Sequence, residues 1–239
     1  MSPPSHHHPP PSPSQSCPFC AIASAYPPIP PSKASSSTPT PAHAHAHLIL
    51  STPHVLAFLD TMPLTRGHVL VVTRRHWEHL GRVGVRVGME LGKWLPVISR
   101  VVMRVVLGRG DEGDHDSDAQ GQGPAQMKWN WNVVQNNGPL AAQVVPHLHF
   151  HIIPRPPLSS SSTGSNTGTG TRTGTGANAG RSWVMFGRGQ REELDEEEGE
   201  VLARAMREEL AREVRRVREV EGVDLECDLA GDGGGGVKL

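Results

Sequence analysis

Between Pro146 and Pro154 the chain reads His147-Leu148-His149-Phe150-His151-Ile152-Ile153, an alternation of imidazole and apolar side chain that an extended strand sorts onto two faces. Alternate residues of a strand share one side, about 6.5–7 Å apart, and their neighbours point to the other. The spacing predicts that His147, His149 and His151 line one face while Leu148, Phe150 and Ile152 bury the opposite one. A proline at each end bounds the element. Imidazoles with an unperturbed pKa of about 6.5 can serve near neutrality as nucleophile, proton carrier or metal ligand. The same chain holds a contrasting tract, Ala42-His43-Ala44-His45-Ala46-His47, with identical His spacing. Its spacers are alanines and it closes a Pro/Ser/Ala-rich stretch, so no apolar face anchors it, and it reads as low complexity.

Just upstream of the triplet lies Asn136-Asn137-Gly138-Pro139-Leu140-Ala141-Ala142-Gln143, after the apolar run that ends at Val134. Gly138-Pro139 is a turn signal, and the Asn and Gln amides can donate hydrogen bonds to phosphate or sugar oxygens. Strand, polar turn and His-bearing strand together read as a hairpin that aims polar groups at one pocket. Farther back, His54 to His76 reads as strand, turn, strand, with Asp60 shortly before Pro63. Asp60 alone is an ordinary turn residue. Cys17-Pro18-Phe19-Cys20 is a separate signal in a chain with three cysteines, the third being Cys227. A lone Cys-x-x-Cys fits a redox pair, two zinc ligands or unliganded thiols, and a tetrahedral structural zinc needs two further ligands, usually His.

The His-bearing segment resembles the histidine-triad (HIT) family, whose signature is His-φ-His-φ-His-φ-φ preceded by an Asn-x-Gly-x-x-x-Gly-Gln-type loop. His147 to Ile153 fit the signature residue for residue, and Asn136, Gly138 and Gln143 fit the loop. Ala142 stands at the usual glycine place and Val144 at the usual Ser/Thr place. The resemblance implies an α+β fold: an antiparallel sheet of about five strands with helices packed on one side, usually assembled as a homodimer. It implies a hydrolase or transferase in which His149 attacks the α-phosphorus of an adenine nucleotide, giving a nucleotidyl-imidazole that water resolves to a nucleoside monophosphate. His151, with Asn136 and Gln143, would stabilise the phosphoryl oxygens, and His68 would orient the triad. Asp60 would hold the ribose hydroxyls, with neighbouring apolar side chains such as Phe58 against the base. A branch of the family carries the Cys pair and completes a structural zinc site, which maps here onto Cys17, Cys20, His76 and His147. No catalytic metal is required. The implied substrate is a phosphoramidate or a phosphoanhydride. A dinucleoside polyphosphate hydrolase is the nearest alternative, and a nucleotide-binding scaffold with little turnover is the alternative motivated by Ala142 and Val144.

Composition limits how much of the 239 residues can fold, since 22 are Pro and 26 Gly, gathered in biased tracts. Residues 1–16, 27–47 and 158–180 bury too little apolar surface to offset their ordering entropy, and they are expected to be a tail and two disordered insertions. The HIT domain is then residues 17–221, with 222–239 a loose C-terminal tail. Apolar residues at helical spacing predict one helix from Trp77 to Val106 and another from Glu192 to about Glu221, the second with a charged, solvated face. Residues 111–123 read as a solvated loop before a strand from Lys128 to Val134. A net charge of −1 offers no basic footprint for nucleic acid. No apolar run is long enough for a membrane span and no secretory signal is expected. With so few cysteines, an intracellular compartment, cytoplasmic or nuclear, is the economical expectation.

Overall fold

The computed structural model describes residues 17–33, 45–108, 129–156 and 191–227. Five strands form one sheet: β1 (Leu48–Ser51), β2 (Val55–Leu59), β3 (Val69–Thr73), β4 (Trp131–Gln135) and β5 (His149–Pro154), in the order β1-β2-β3-β5-β4. All neighbouring pairs are antiparallel. Among the described residues the α-helices are α1 (Pro18–Ala25), α2 (Val85–Leu107) and α3 (Glu196–Glu221). This is the expected α+β architecture, with the two long helices on one face.

The two-residue period of the strands divides the core. Val55, Ala57, Val69, Val71, Leu148 and Ile152 meet Leu91, Trp94, Ile98 and Val102 of α2 and Leu202, Met206, Leu210 and Val214 of α3. Leu56, Phe58, Leu70 and Val72 face the other way, where α1 covers them with Phe19 and Ala23. β2 and β3 are thereby buried on both faces. The pairs Val72↔His149 and Leu70↔His151 put the histidines of β5 on the α1 face, while Val71↔Phe150 and Val69↔Ile152 point into the main core. Each fully buried Leu, Ile or Met contributes about 1.5–3 kcal/mol, so truncating Leu210 to Ala would cost about 2–5 kcal/mol.

α3 begins four residues later than its periodicity suggests, because the Asp195 side chain accepts a hydrogen bond from the Glu198 N–H at 2.9 Å and caps the first turn. Gly222 ends it in the left-handed conformation at φ 68°. Its charges are not all solvated. Glu213 is fully buried, with Arg100 and Arg104 of α2 and Arg216 of its own helix on its carboxylate. Arg207 is buried and donates to the Leu48 carbonyl at 2.7 Å. Helical periodicity sees only where a charge lies on its own helix, and here a second helix supplies its partners. α2 likewise starts at Val85 rather than at Trp77: Gly81 and Gly84 interrupt the pattern, and residues 80–82 make a single 3-10 turn.

The expected insertion at 27–47 is narrower than composition suggests. Ile29 N–H bonds to the Ser51 carbonyl at 2.9 Å, and Arg74 holds the Ala23 and Tyr26 carbonyls. The Tyr26 hydroxyl donates to the Ala46 carbonyl at 3.0 Å, and Ala46 and His47 are buried. His47 is therefore packed structure rather than tract. The C-terminal tail also starts later than expected, since Leu225 is buried and Glu226 accepts from the Ser32 N–H at 2.8 Å. Residues 1–16, 34–44, 158–180 and 111–123 lie outside the described residues. Among the described residues, no helix is long and apolar enough to cross a membrane.

Candidate active site and metal centre

The alternation at β5 is partly broken, and the break makes two sites out of one motif. β5 starts at His149, and His147 sits in the bend before it. Its Nε2–H donates to the Thr73 carbonyl at 2.7 Å, which fixes the tautomer and turns Nδ1, the lone-pair nitrogen, toward α1. There it meets Cys17 Sγ at 3.3 Å and Cys20 Sγ at 3.7 Å. His76, just after β3, places its Nδ1 3.3 Å from Cys20 Sγ. Cys17 and Cys20 sit three residues apart at the start of α1 and so share one helix face.

The ligand atoms of Cys17, Cys20, His76 and His147 all lie within 4.8 Å of one another. A tetrahedral ion held at about 2.0–2.3 Å from each donor needs edges of about 3.3–3.8 Å, which the measured contacts match. Burial pushes His147 down to about 4, with nearby His76 adding to the shift and the Thr73 carbonyl opposing it. The ring is therefore neutral at neutral pH, as a ligand must be. These four residues could bind a metal ion.

The second half of the motif has the opposite polarity. The Nδ1–H of His149 donates to the His147 carbonyl. A carbonyl only accepts, so the proton sits on Nδ1 and Nε2 keeps its lone pair. Burial lowers the His149 pKa, and the His147 carbonyl and the charge of Asp60 work against that shift. Phe19 packs edge-on against this ring with centroids 5.2 Å apart. His151 receives a 3.0 Å hydrogen bond at Nδ1 from Nε2 of His68. His68 is set in turn by the Leu64 N–H, which donates to its Nδ1 at 3.2 Å. The chain of donors runs Leu64 to His68 to His151 and leaves the proton of His151 on Nε2. Burial, then the neighbouring histidines and Arg191, pushes His68 to about 3 and His151 to about 4. His149 and His151 stand with ring centroids 4.9 Å apart. The site thus pairs a ring nitrogen that keeps its lone pair with an N–H donor.

Asp60 reaches this constellation from the β2–β3 turn. Its Oδ1 accepts the Met62 N–H at 2.9 Å, and its Oδ2 lies 3.3 Å from His68 Nδ1. With the Leu64 N–H already on Nδ1, that approach sets two acceptors face to face, and burial raises the Asp60 carboxyl toward its neutral form. Phe58 is buried, in edge contact with Phe19 at 5.6 Å. Gln143 is placed differently from the sequence expectation. Its amide donates to the Glu78 carbonyl at 2.8 Å and to the His147 carbonyl at 3.4 Å, and its Oε1 accepts the Gly138 N–H at 2.6 Å. Both N–H groups are committed to the backbone carbonyls of Glu78 and His147, so Gln143 braces the carbonyl that holds His149. Asn136 makes a long 3.5 Å contact to the Ala142 carbonyl. Ala142 sits in the left-handed region at φ 63°, ψ 27°, where a glycine would be unstrained.

Three participants carry no sequence expectation. The Thr73 carbonyl and the Leu64 N–H are backbone groups, which no residue pattern advertises. Phe19 could have been found, because it is the apolar residue enclosed by the Cys pair.

The sequence profile described as the HIT domain matches residues 42–158. An uncharacterized HIT-like protein of Methanocaldococcus jannaschii is 34% identical over 108 residues, covering 45% of this chain and 67% of that protein. An adenosine 5'-monophosphoramidase of Candida albicans is 31% identical over 107 residues, covering 45% of this chain and 60% of that enzyme. This chain therefore spans two thirds or less of the length of these relatives. Among solved structures, a zinc-bound histidine triad family protein from Mycobacterium smegmatis aligns over 82% of this chain and 94% of its own, at 23% identity and a TM-score of 0.47. The matched profile, the identity with the archaeal relative and the intact run from His147 to Ile153 agree: the chain belongs to the histidine-triad (HIT) family.

Proposed function

We propose that this chain is a nucleotide hydrolase that cleaves a phosphoramidate at the α-phosphate of an adenine nucleotide and releases the nucleoside monophosphate. The observation that carries this reading is the bond from His149 Nδ1–H to the His147 carbonyl, which leaves Nε2 as a neutral nucleophile beside the N–H of His151. The phosphoramidase named among the relatives supports the choice of leaving group.

In this reading His149 Nε2 attacks the α-phosphorus in line. A P–N bond to the imidazole forms and the bond to the leaving amine breaks, the amine taking its proton from solvent. His151 Nε2–H hydrogen-bonds a phosphoryl oxygen as charge develops there. Water then attacks the same phosphorus, loses a proton and returns His149 to its starting tautomer. Phe19 and Phe58 bound the apolar side of the pocket, and Asp60 takes the ribose hydroxyls. Cys17, Cys20, His76 and His147 would hold a structural zinc ion, which would supply no chemistry at phosphorus and would tie the start of α1 to the bend that carries His147. Trp131 and Val133, exposed on edge strand β4, fit a homodimer, and cysteines placed as ligands of a metal cluster fit a reducing intracellular compartment.

The test is turnover of adenosine 5'-phosphoramidate. His149→Ala should abolish kcat while AMP affinity stays within about tenfold, because a covalent nucleophile acts on the chemical step. Undiminished kcat in that variant refutes the mechanism. Diadenosine polyphosphates assayed beside it decide between amine and nucleotide leaving groups. The exposed Val144, which offers no hydroxyl to a phosphate, favours the binding-scaffold reading. AMP binding with no turnover and no trapped adduct on either substrate would establish that one.

A further inference from the structure

We infer that His45, His47 and Glu196 form a second, separate site for a divalent transition-metal ion of the zinc class. His45 Nε2 lies 3.0 Å from one Glu196 oxygen and His47 Nε2 lies 3.6 Å from the other. All three donor atoms fall within 4.8 Å of one another. The two rings stand perpendicular, with centroids 4.9 Å apart. Two imidazole nitrogens and a carboxylate oxygen are the ligand types that favour zinc over magnesium or calcium.

The His47 ring packs flat against Gly199, where a Cβ would stand 2.2 Å from Nε2 and 2.5–2.6 Å from the two ring carbons beside it, so glycine at this position admits the ring. His47 is buried and its Nδ1 has no hydrogen-bond partner among the described residues, so Nε2 is the atom it offers, 3.6 Å from the Glu196 carboxylate. The site ties residues 45–47, which lead into edge strand β1, to the first turn of α3. It shares no residue with the Cys17/Cys20 centre and stands apart from the nucleophile.

The test uses the full chain with His6, His7 and His8 replaced by Ala, so that the histidine run near residue 1 cannot take up metal. After chelation, equilibrium dialysis against zinc should load two ions per chain. His45→Ala and Glu196→Gln should each weaken one of the two at least tenfold, on the scale of losing a ligand or its support, and leave the other unchanged. Cys17→Ser should weaken only the other. Cobalt substitution separates the two by spectrum, because only the thiolate centre gives intense near-ultraviolet charge-transfer bands. If Cys17→Ser fails to fold, the two surface variants and the cobalt spectra of the parent still decide the matter. A stoichiometry of one, or a second ion that neither His45→Ala nor Glu196→Gln affects, overturns the inference.

Discussion

His68 is the residue by which the donor chain can be tested directly. It holds the proton of His151 on Nε2 by donating to Nδ1 at 3.0 Å, and it is itself fixed by the Leu64 N–H. His68→Phe keeps the ring volume and removes both bonds. Nδ1 of His151 then loses its buried donor, at about 1–3 kcal/mol for an unsatisfied polar atom, and the tautomer that points N–H at the phosphate loses its bias. Each 1.36 kcal/mol is tenfold in rate, so kcat should fall about 5- to 150-fold while AMP affinity changes little. The Leu64 N–H is orphaned as well, so a lower Tm accompanies the loss, and rates should be compared well below it. His68→Gln can return a donor near the position of Nε2 and should recover part of kcat. Steady-state assays on adenosine 5'-phosphoramidate, with calorimetric AMP titration, measure both effects. A His68→Phe enzyme within twofold of the parent kcat, or a Gln variant no better than Phe, would refute the donor chain.

Stripping metal from the Cys17/Cys20 centre should destabilise the chain by about 2.7 kcal/mol relative to zinc at a hundredfold excess over its Kd. That is about 5–10 °C in Tm for a folded part of this size; a scan unchanged by chelator counts against the centre. Ala142→Gly relieves a left-handed alanine, worth about 1–2 kcal/mol, against about 0.5–1 kcal/mol of added chain entropy. It should leave stability equal or up to about 1.5 kcal/mol higher by denaturant titration, and a loss beyond about 1 kcal/mol contradicts the strain. At Glu213 burial would raise the carboxyl, but the hydrogen bonds from Arg216, Arg104 and Arg100 overcome it and hold it at about 2. Because the folded value lies below the unfolded one of about 4.3, the stabilisation is complete above pH 4.3 and is lost as pH falls toward 2. It amounts to about 3 kcal/mol. Glu213→Gln should lose about that much at pH 7 and show a flatter acid limb; an unchanged acid limb refutes the assignment.

The parts of the fold that were legible in sequence are those written as periodic side-chain patterns. His149, His151, Phe150 and Ile152 sort onto the faces their alternation predicts, and the apolar stripe of α3 meets the sheet where its spacing places it. Other features depend on groups far apart in the chain. His47 is packed because Gly199 leaves room for its ring, and the carboxylate of Glu213 is satisfied from a different helix. Neither partner is visible locally. Gln143 is recognisable as a site residue by type and position, but which way its amide points is decided by three backbone groups. His147 is legible as a histidine of the motif and not as the residue that leaves the strand, because the bend that turns it depends on the Thr73 carbonyl.

His147 serves the Cys/His cluster with its ring and His149 with its carbonyl. A lineage could discard Cys17, Cys20 and His76 one after another, trading away ion retention in steps that leave the carbonyl in place. Position 147 offers no such path. Its backbone survives any substitution, but a smaller side chain gives up the tether to Thr73 that sets where that carbonyl points, so metal economy and turnover are inherited there as one trait. Laboratory drift under selection for turnover in chelated medium should accordingly erode the cysteines first and keep a side chain at 147 that still donates to Thr73.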